Sequence, residues 1–129
     1  MKMILLSIEE ILSLHSKLIA KTGGTDGLRD YGLLESAVFS ALSSFGGNEV
    51  YPTTEEKAAR LMFSLVSNHA FVDGNKRIGV LVMLMTLKLN HIELQYSQAE
   101  LIQLGLSVAD GQSKYNEILH WIRTHTLTP

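Results

Sequence analysis

The sequence predicts an all-α domain: a bundle of about six helices around a buried central helix, with one short loop or hairpin. Three observations carry this. Capping-box signatures recur along the chain, glycines close several of the segments they open, and Ile78 to Leu87 is apolar nearly all round. A helix with no polar face belongs in the middle of a domain.

The elements follow in order. Ser7 and Glu10 form a capping box before Ile8, Ile11, Leu12, Leu14, Leu18 and Ile19, and Gly23-Gly24 stop that helix. A polar connector, Thr25 to Asp30, leads to a second helix from about Gly32 to Ser44, which Gly46-Gly47 end. Gly47 to Thr53 has no helical period and contains Tyr51-Pro52, so it reads as a loop or short hairpin. Thr53 and Glu56 open a third helix running to about His69, with Ala58, Leu61, Met62, Leu65 and Val66 inward and His69 continuing that face. After a break at Ala70 to Gly74, a helix runs from Asn75 to about Asn90. Ser97 with Glu100 starts the next, ending near Asp110-Gly111, and Ser113 starts the last, running to about His125.

The 129 residues fit a single domain, 1–129, large enough to bury a core without staples. With 46% hydrophobic and 19% charged residues the composition is globular, and a net charge of −2 supplies no field that would draw nucleic acid or an anionic membrane. The absence of a basic recognition helix argues against a helix-turn-helix DNA binder. Zero cysteines exclude disulfides and thiolate metal sites and match a reducing cytoplasm. Met1 to Leu6 lacks a signal-peptide pattern, and Ile78 to Leu87 is too short to span a bilayer.

Chemistry is concentrated in His69-Ala70-Phe71-Val72-Asp73-Gly74-Asn75-Lys76-Arg77, where ionisable side chains interrupt two core-like helices. The first N–H groups of the helix that starts there have no intrahelical acceptor. Gly74 permits a left-handed turn that folds N–H groups into an anion nest, and Lys76 and Arg77 add two cations. Two cations at a helix N-terminus oppose the dipole, each by about 0.3–1 kcal/mol, unless an anion sits there. Phosphate satisfies all these features, Asp73 suits Mg²⁺ held jointly with phosphates, and His69 can take a proton from an attacking hydroxyl. Each feature alone has a plainer reading: a core histidine, a turn with its cap, a solvated helix end. Phe71 is a core anchor in either case. The remaining histidines, His15, His91, His120 and His125, lack metal-helix spacing and read as surface or cap residues, and Trp121 with Ile118 and Ile122 packs the last helix.

At His69 to Arg77 the chain resembles the Fic/Doc (Fido) family, and its pattern HxFxDGNKR resembles the Doc, or death-on-curing, branch. Similarity continues in Gly27-Leu28-Arg29-Asp30 with Gly32-Leu33-Leu34-Glu35-Ser36, and Gly46 to Pro52 resembles the family's flap, which helps hold the target segment. The resemblance implies a Fido fold that binds ATP and Mg²⁺. By position it makes His69 the base, with Lys76 and Arg77 as further catalytic residues on the phosphates. Asp73, Gly74, Asn75, Lys76 and Arg77 would hold the nucleotide, with Asp73 toward the metal. AMP-transferring members carry HxFx(D/E)GNGRxxR; here Lys76 replaces the second glycine and Val80 the second arginine. In the Doc branch that pattern accompanies a reversed nucleotide whose γ-phosphate meets a Ser or Thr hydroxyl. The resemblance therefore implies a cytoplasmic protein kinase acting on a translation protein, elongation factor Tu, and neutralised by a cognate antitoxin. The family's inhibitory helix motif is not matched, since Ile118 follows Glu117 in the nearest candidate, Ser113 to Glu117. The alternatives are an AMP or other nucleotide transferase, and a non-catalytic module that binds a nucleotide or partner.

Overall fold

The computed structural model describes residues 2–127. Six helices occur in them: α1 (Ile8–Thr22), α2 (Tyr31–Ser40), α3 (Thr54–Asn68), α4 (Asn75–Leu89), α5 (Gln98–Ala109) and α6 (Tyr115–His125), with a hairpin of β1 (Ser44–Phe45) and β2 (Asn48–Glu49) between α2 and α3. The three capping boxes read from the sequence form at Ser7, Thr53 and Ser97, each with its Glu reaching back to the cap N–H. None of the described helices is long and apolar enough to cross a membrane.

Two helices differ in their bounds from the sequence expectation. Helix α2 begins at Tyr31, because the Asp30 carboxylate accepts the Leu33 N–H at 3.0 Å, and it ends at Ser40. Gly46 and Gly47 do not close it. They form the hairpin turn, with φ of 59° and 83°, which a two-residue turn of the I′ kind requires. Helix α6 starts at Tyr115, since Ser113 gives its N–H to Ser107 and the Glu117 carboxylate accepts the Lys114 N–H.

Helices α3 and α4 share the centre. On α3, Lys57, Ala58, Ala59, Leu61, Met62, Ser64, Leu65 and Val66 are buried and only Ser67 is exposed, so nearly the whole circumference is covered. The α3–α4 contact is close because Gly79 has no side chain: a Cβ there would lie 2.6 Å from Val66 Cγ2 and 3.2 Å from the Met62 carbonyl. On α4, Ile78, Val82, Met83 and Leu87 are buried, while Val80, Leu81, Leu84 and Met85 are half-buried toward α1 and α5. The apolar sweep of α4 therefore serves two purposes: one side fills the core and the other lines an open groove of about 690 Å³. Antiparallel packing of α3 against α4 leaves the end of the first beside the start of the second, with Ala70 to Gly74 spanning them.

The hairpin is fastened by a charged side chain inside the protein. Lys57, 3% exposed, bonds Glu49 Oε1 at 2.7 Å and the Tyr51 and Ala41 carbonyls. Lys57→Met keeps the apolar stem and strips those oxygens of their donor. The expected loss is about 1–3 kcal/mol with faster amide exchange in Ser44 to Glu49, read by urea titration and hydrogen exchange.

At the opposite end, His125 Nε2 lies 2.8 Å from Glu100 and Nδ1 2.7 Å from the Trp121 carbonyl. Both partners only accept, so the cationic ring, with hydrogen on both nitrogens, is the form that makes both bonds. The Glu100 hydrogen bond raises the His125 pKa above its ordinary 6.5, and the Ser97 N–H first, then His125, lower that of Glu100 below 4.5. The raised histidine stabilises fully below about pH 6.5 and loses its contribution as pH rises through its folded value. The lowered glutamate stabilises fully above about pH 4.5 and loses its contribution as pH falls through its own. Thermal melts should show a shallow stability maximum between those limits that flattens in His125→Gln.

Candidate functional site

The segment His69 to Arg77 is held from behind by a short strand-like stretch. Leu28 and Phe71 form an antiparallel bridge, the Val72 N–H donates to the Gly27 carbonyl, and the Arg29 and Asp30 N–H groups donate to Ala70. These bonds explain the composition of Gly27 to Asp30: its backbone is a template for the loop. Arg29 also places Nε 2.7 Å from the His69 carbonyl, at the C-terminal end of α3, where a cation complements the dipole.

His69 caps α3 in the left-handed conformation, φ 52° and ψ 47°. This corrects the expected inward placement. The helical period stops at Asn68, and the left-handed residue swings its ring out to solvent, where it makes no hydrogen bond among the described residues. Phe71, 2% exposed, turns the chain inward again. Asn75 clamps that turn, accepting from the Phe71 N–H and donating to the Phe71 carbonyl, both at 3.0 Å.

Gly74 has φ 78° and no side-chain cap follows it. A Cβ at Gly74 would stand 2.9 Å from Ile19 Cδ1, a side-chain end that can shift, so it is the left-handed conformation that demands glycine. The first backbone bond of α4 runs from Ile78 N–H to the Gly74 carbonyl, leaving the N–H groups of Asn75, Lys76 and Arg77 without acceptors among the described residues.

Around this helix start the charges are unevenly engaged. Asp73 accepts the Thr25 N–H at 3.1 Å and the Gly74 N–H at 2.8 Å, and its Oδ1 lies 3.6 Å from Arg77. The Thr25 bond first, the Gly74 bond second and the Arg77 charge hold its carboxyl below the usual carboxylate range, against a partial loss of solvation. Arg77 is already bonded, at 2.6 Å each, to Thr22 Oγ1 and the Gly23 carbonyl, so it caps the end of α1. Its position is thereby explained in part without an anion. Lys76 is exposed and makes no ion pair or hydrogen bond among the described residues; its stem runs beside Gly105 of α5. Val80 lines the apolar groove below Lys76 with Leu18, Leu81, Leu84 and Leu101.

The structure thus joins Asp73, Gly74 and Arg77 to the end of α1 and uses Asn75 to close the loop, while His69 and Lys76 stand exposed and outside that connected group. One participant escaped the sequence reading. His15 is not at the surface but 1% exposed, and stacks on Phe71 with ring centroids 3.7 Å apart. The signal was its place in the buried stripe Ile8, Ile11, His15, Ile19. Among the described residues no three His, Asp or Glu side chains converge as a self-sufficient metal site. The single exposed carboxylate of Asp73 fits a hard cation shared with phosphate, which needs only one or two protein carboxylates.

The start of α4 thus offers three open N–H groups, a left-handed glycine, an anionic aspartate and an unpaired lysine, an arrangement whose chemistry suits an anion, and the preceding loop exposes a histidine. The chain belongs to the Fic/DOC family, whose family model matches residues 5–87. Among named relatives, it is 43% identical over 72 residues to "Toxin Doc" of Mycolicibacterium smegmatis, a stretch covering 56% of this chain and 55% of that protein. It is 26% identical over 118 residues to "Protein kinase doc" of Escherichia phage P1, covering 92% of each. The chain thus matches about half the length of the first and nearly all of the second.

Proposed function

We propose that the chain, as one Fido domain over residues 1–129, is a Doc-type toxin that transfers the γ-phosphoryl group of ATP to a Ser or Thr hydroxyl of a translation protein, with elongation factor Tu as the first candidate. The observation that carries this reading is the uncapped start of α4 beside the unpartnered Lys76 and the exposed His69. The printed names of the two relatives, a toxin and a protein kinase, point the same way.

Phosphoryl transfer asks a protein chiefly for position and charge. The N–H groups of Asn75, Lys76 and Arg77 receive phosphate oxygens along the helix axis, and the Lys76 ammonium neutralises their charge. Arg77, fixed on α1, holds the Asp73 carboxylate in place. That carboxylate, held below the usual carboxylate range, would be the chain's oxygen ligand for Mg²⁺. Bound there, Mg²⁺ supplies charge neutralisation across the phosphates. The His69 imidazole takes the proton from the target hydroxyl as its oxygen attacks.

Val80 favours the kinase over an AMP transferase: at the position where the latter class carries a second arginine, this chain presents an apolar side chain to an apolar groove. A non-catalytic module would have no need of a free imidazole at the loop. The groove beside Lys76 suits a helical segment of a cytoplasmic antitoxin. In a cell-free translation lysate, the protein should stop peptide synthesis and leave one phosphorylated Ser/Thr protein with the mass of elongation factor Tu. Continued synthesis with no phosphorylated protein would refute the proposal.

A further inference from the structure

We propose that His15, on α1, is a positioning residue that fixes the orientation of the Asp73-Gly74 peptide and thereby aims the anion site; the functional part of this rests on the reading above. His15 is buried, and its Nε2 lies 2.7 Å from the Asp73 carbonyl. A carbonyl only accepts, so Nε2 carries the hydrogen and donates it. On its other side Nδ1 lies 3.6 Å from Asp26 Oδ1, beyond hydrogen-bond distance, and that oxygen accepts from the Gly27 N–H at 2.8 Å and the Ser16 hydroxyl at 3.3 Å.

The consequence follows from peptide geometry. In a planar trans peptide the carbonyl and the following N–H point to opposite sides. Drawing the Asp73 carbonyl inward to His15 turns the Gly74 N–H outward, where it meets Asp73 Oδ1 at 2.8 Å. One inward bond therefore sets three outward features: the Gly74 N–H, the Asp73 carboxylate and the left-handed turn that starts α4. The stack on Phe71 fixes the plane of the ring, and the bridge between Leu28 and Phe71 fixes Phe71. Among the described residues no other group donates to that carbonyl: Thr25 and Arg77 engage only the Asp73 side chain.

Two substitutions separate the donor from the stack. His15→Phe keeps a ring against Phe71 and loses the N–H, whereas His15→Gln places an amide N–H near the Nε2 position and loses the ring. In His15→Phe, amide exchange at Gly74 and Asn75 should speed by about tenfold or more, and MgATP affinity and γ-label transfer should each fall by about tenfold. His15→Gln should recover most of all three. A purely structural role would lower the melting temperature of both variants alike without selective rescue. Wild-type exchange, affinity and transfer in His15→Phe, or a His15→Gln as impaired as His15→Phe, would overturn the assignment. Failure of the wild-type protein to bind MgATP would instead overturn the proposed function, and the exchange data on the unliganded protein would still decide whether His15 sets the loop.

Discussion

In His69→Asn the rate of phosphoryl transfer is expected to fall by about 10²–10⁴-fold while the melting temperature stays at its wild-type value. The two halves of this expectation have separate origins. The imidazole is exposed and has no hydrogen-bond partner among the described residues, so its removal costs the fold little. The backbone at this position is left-handed, φ 52°, which Asn tolerates better than most residues, and the Arg29 bond to the carbonyl survives any side-chain change. What Asn cannot supply is an imidazole nitrogen able to take up the hydroxyl proton. Single-turnover label transfer alongside a thermal melt reads both halves. An unchanged rate would place the base elsewhere, and a large drop in melting temperature would mean the ring packs in a way this structure does not have.

The second large effect falls on the fold. Phe71→Ala should destabilise the protein by about 3–5 kcal/mol, measured by urea unfolding, with a matching loss of MgATP binding in the variant that remains folded. Phe71 is 2% exposed, carries the stack on His15, and has both backbone groups clamped by Asn75. Removing the ring leaves a void against His15 within the buried cluster that includes Ile11, Ile78 and Val82. Phe71→Leu refills part of the volume and should recover part of the stability. A cost near zero would mean that the bridge to Leu28 alone holds the loop.

The elements most legible in the sequence were those fixed by local chemistry. A capping box needs four consecutive residues, and all three such boxes form with the expected Ser or Thr and Glu. Features set by distant partners were harder to read. The hairpin was open between loop and strand because pairs of two residues are too short to show an alternating pattern, and the turn glycines resemble a helix stop. A helical period predicts His69 inward, and that period says nothing once one residue turns left-handed. Arg77 looked like a surplus cation until the end of α1, far away in sequence, supplied its acceptors. His15 and its acceptor are 58 positions apart, and only the buried stripe on α1 hinted at it.

The central claim is that the γ-phosphoryl group moves to a protein hydroxyl. The purified protein with Mg²⁺ and a translation-competent lysate should be given ATP labelled at either the α or the γ phosphate, with His69→Asn in parallel. The account predicts acid-stable label on a protein Ser or Thr from γ-labelled ATP alone, absent with the variant. Label arriving from the α position would contradict it and would make the chain a nucleotide transferase despite Lys76 and Val80.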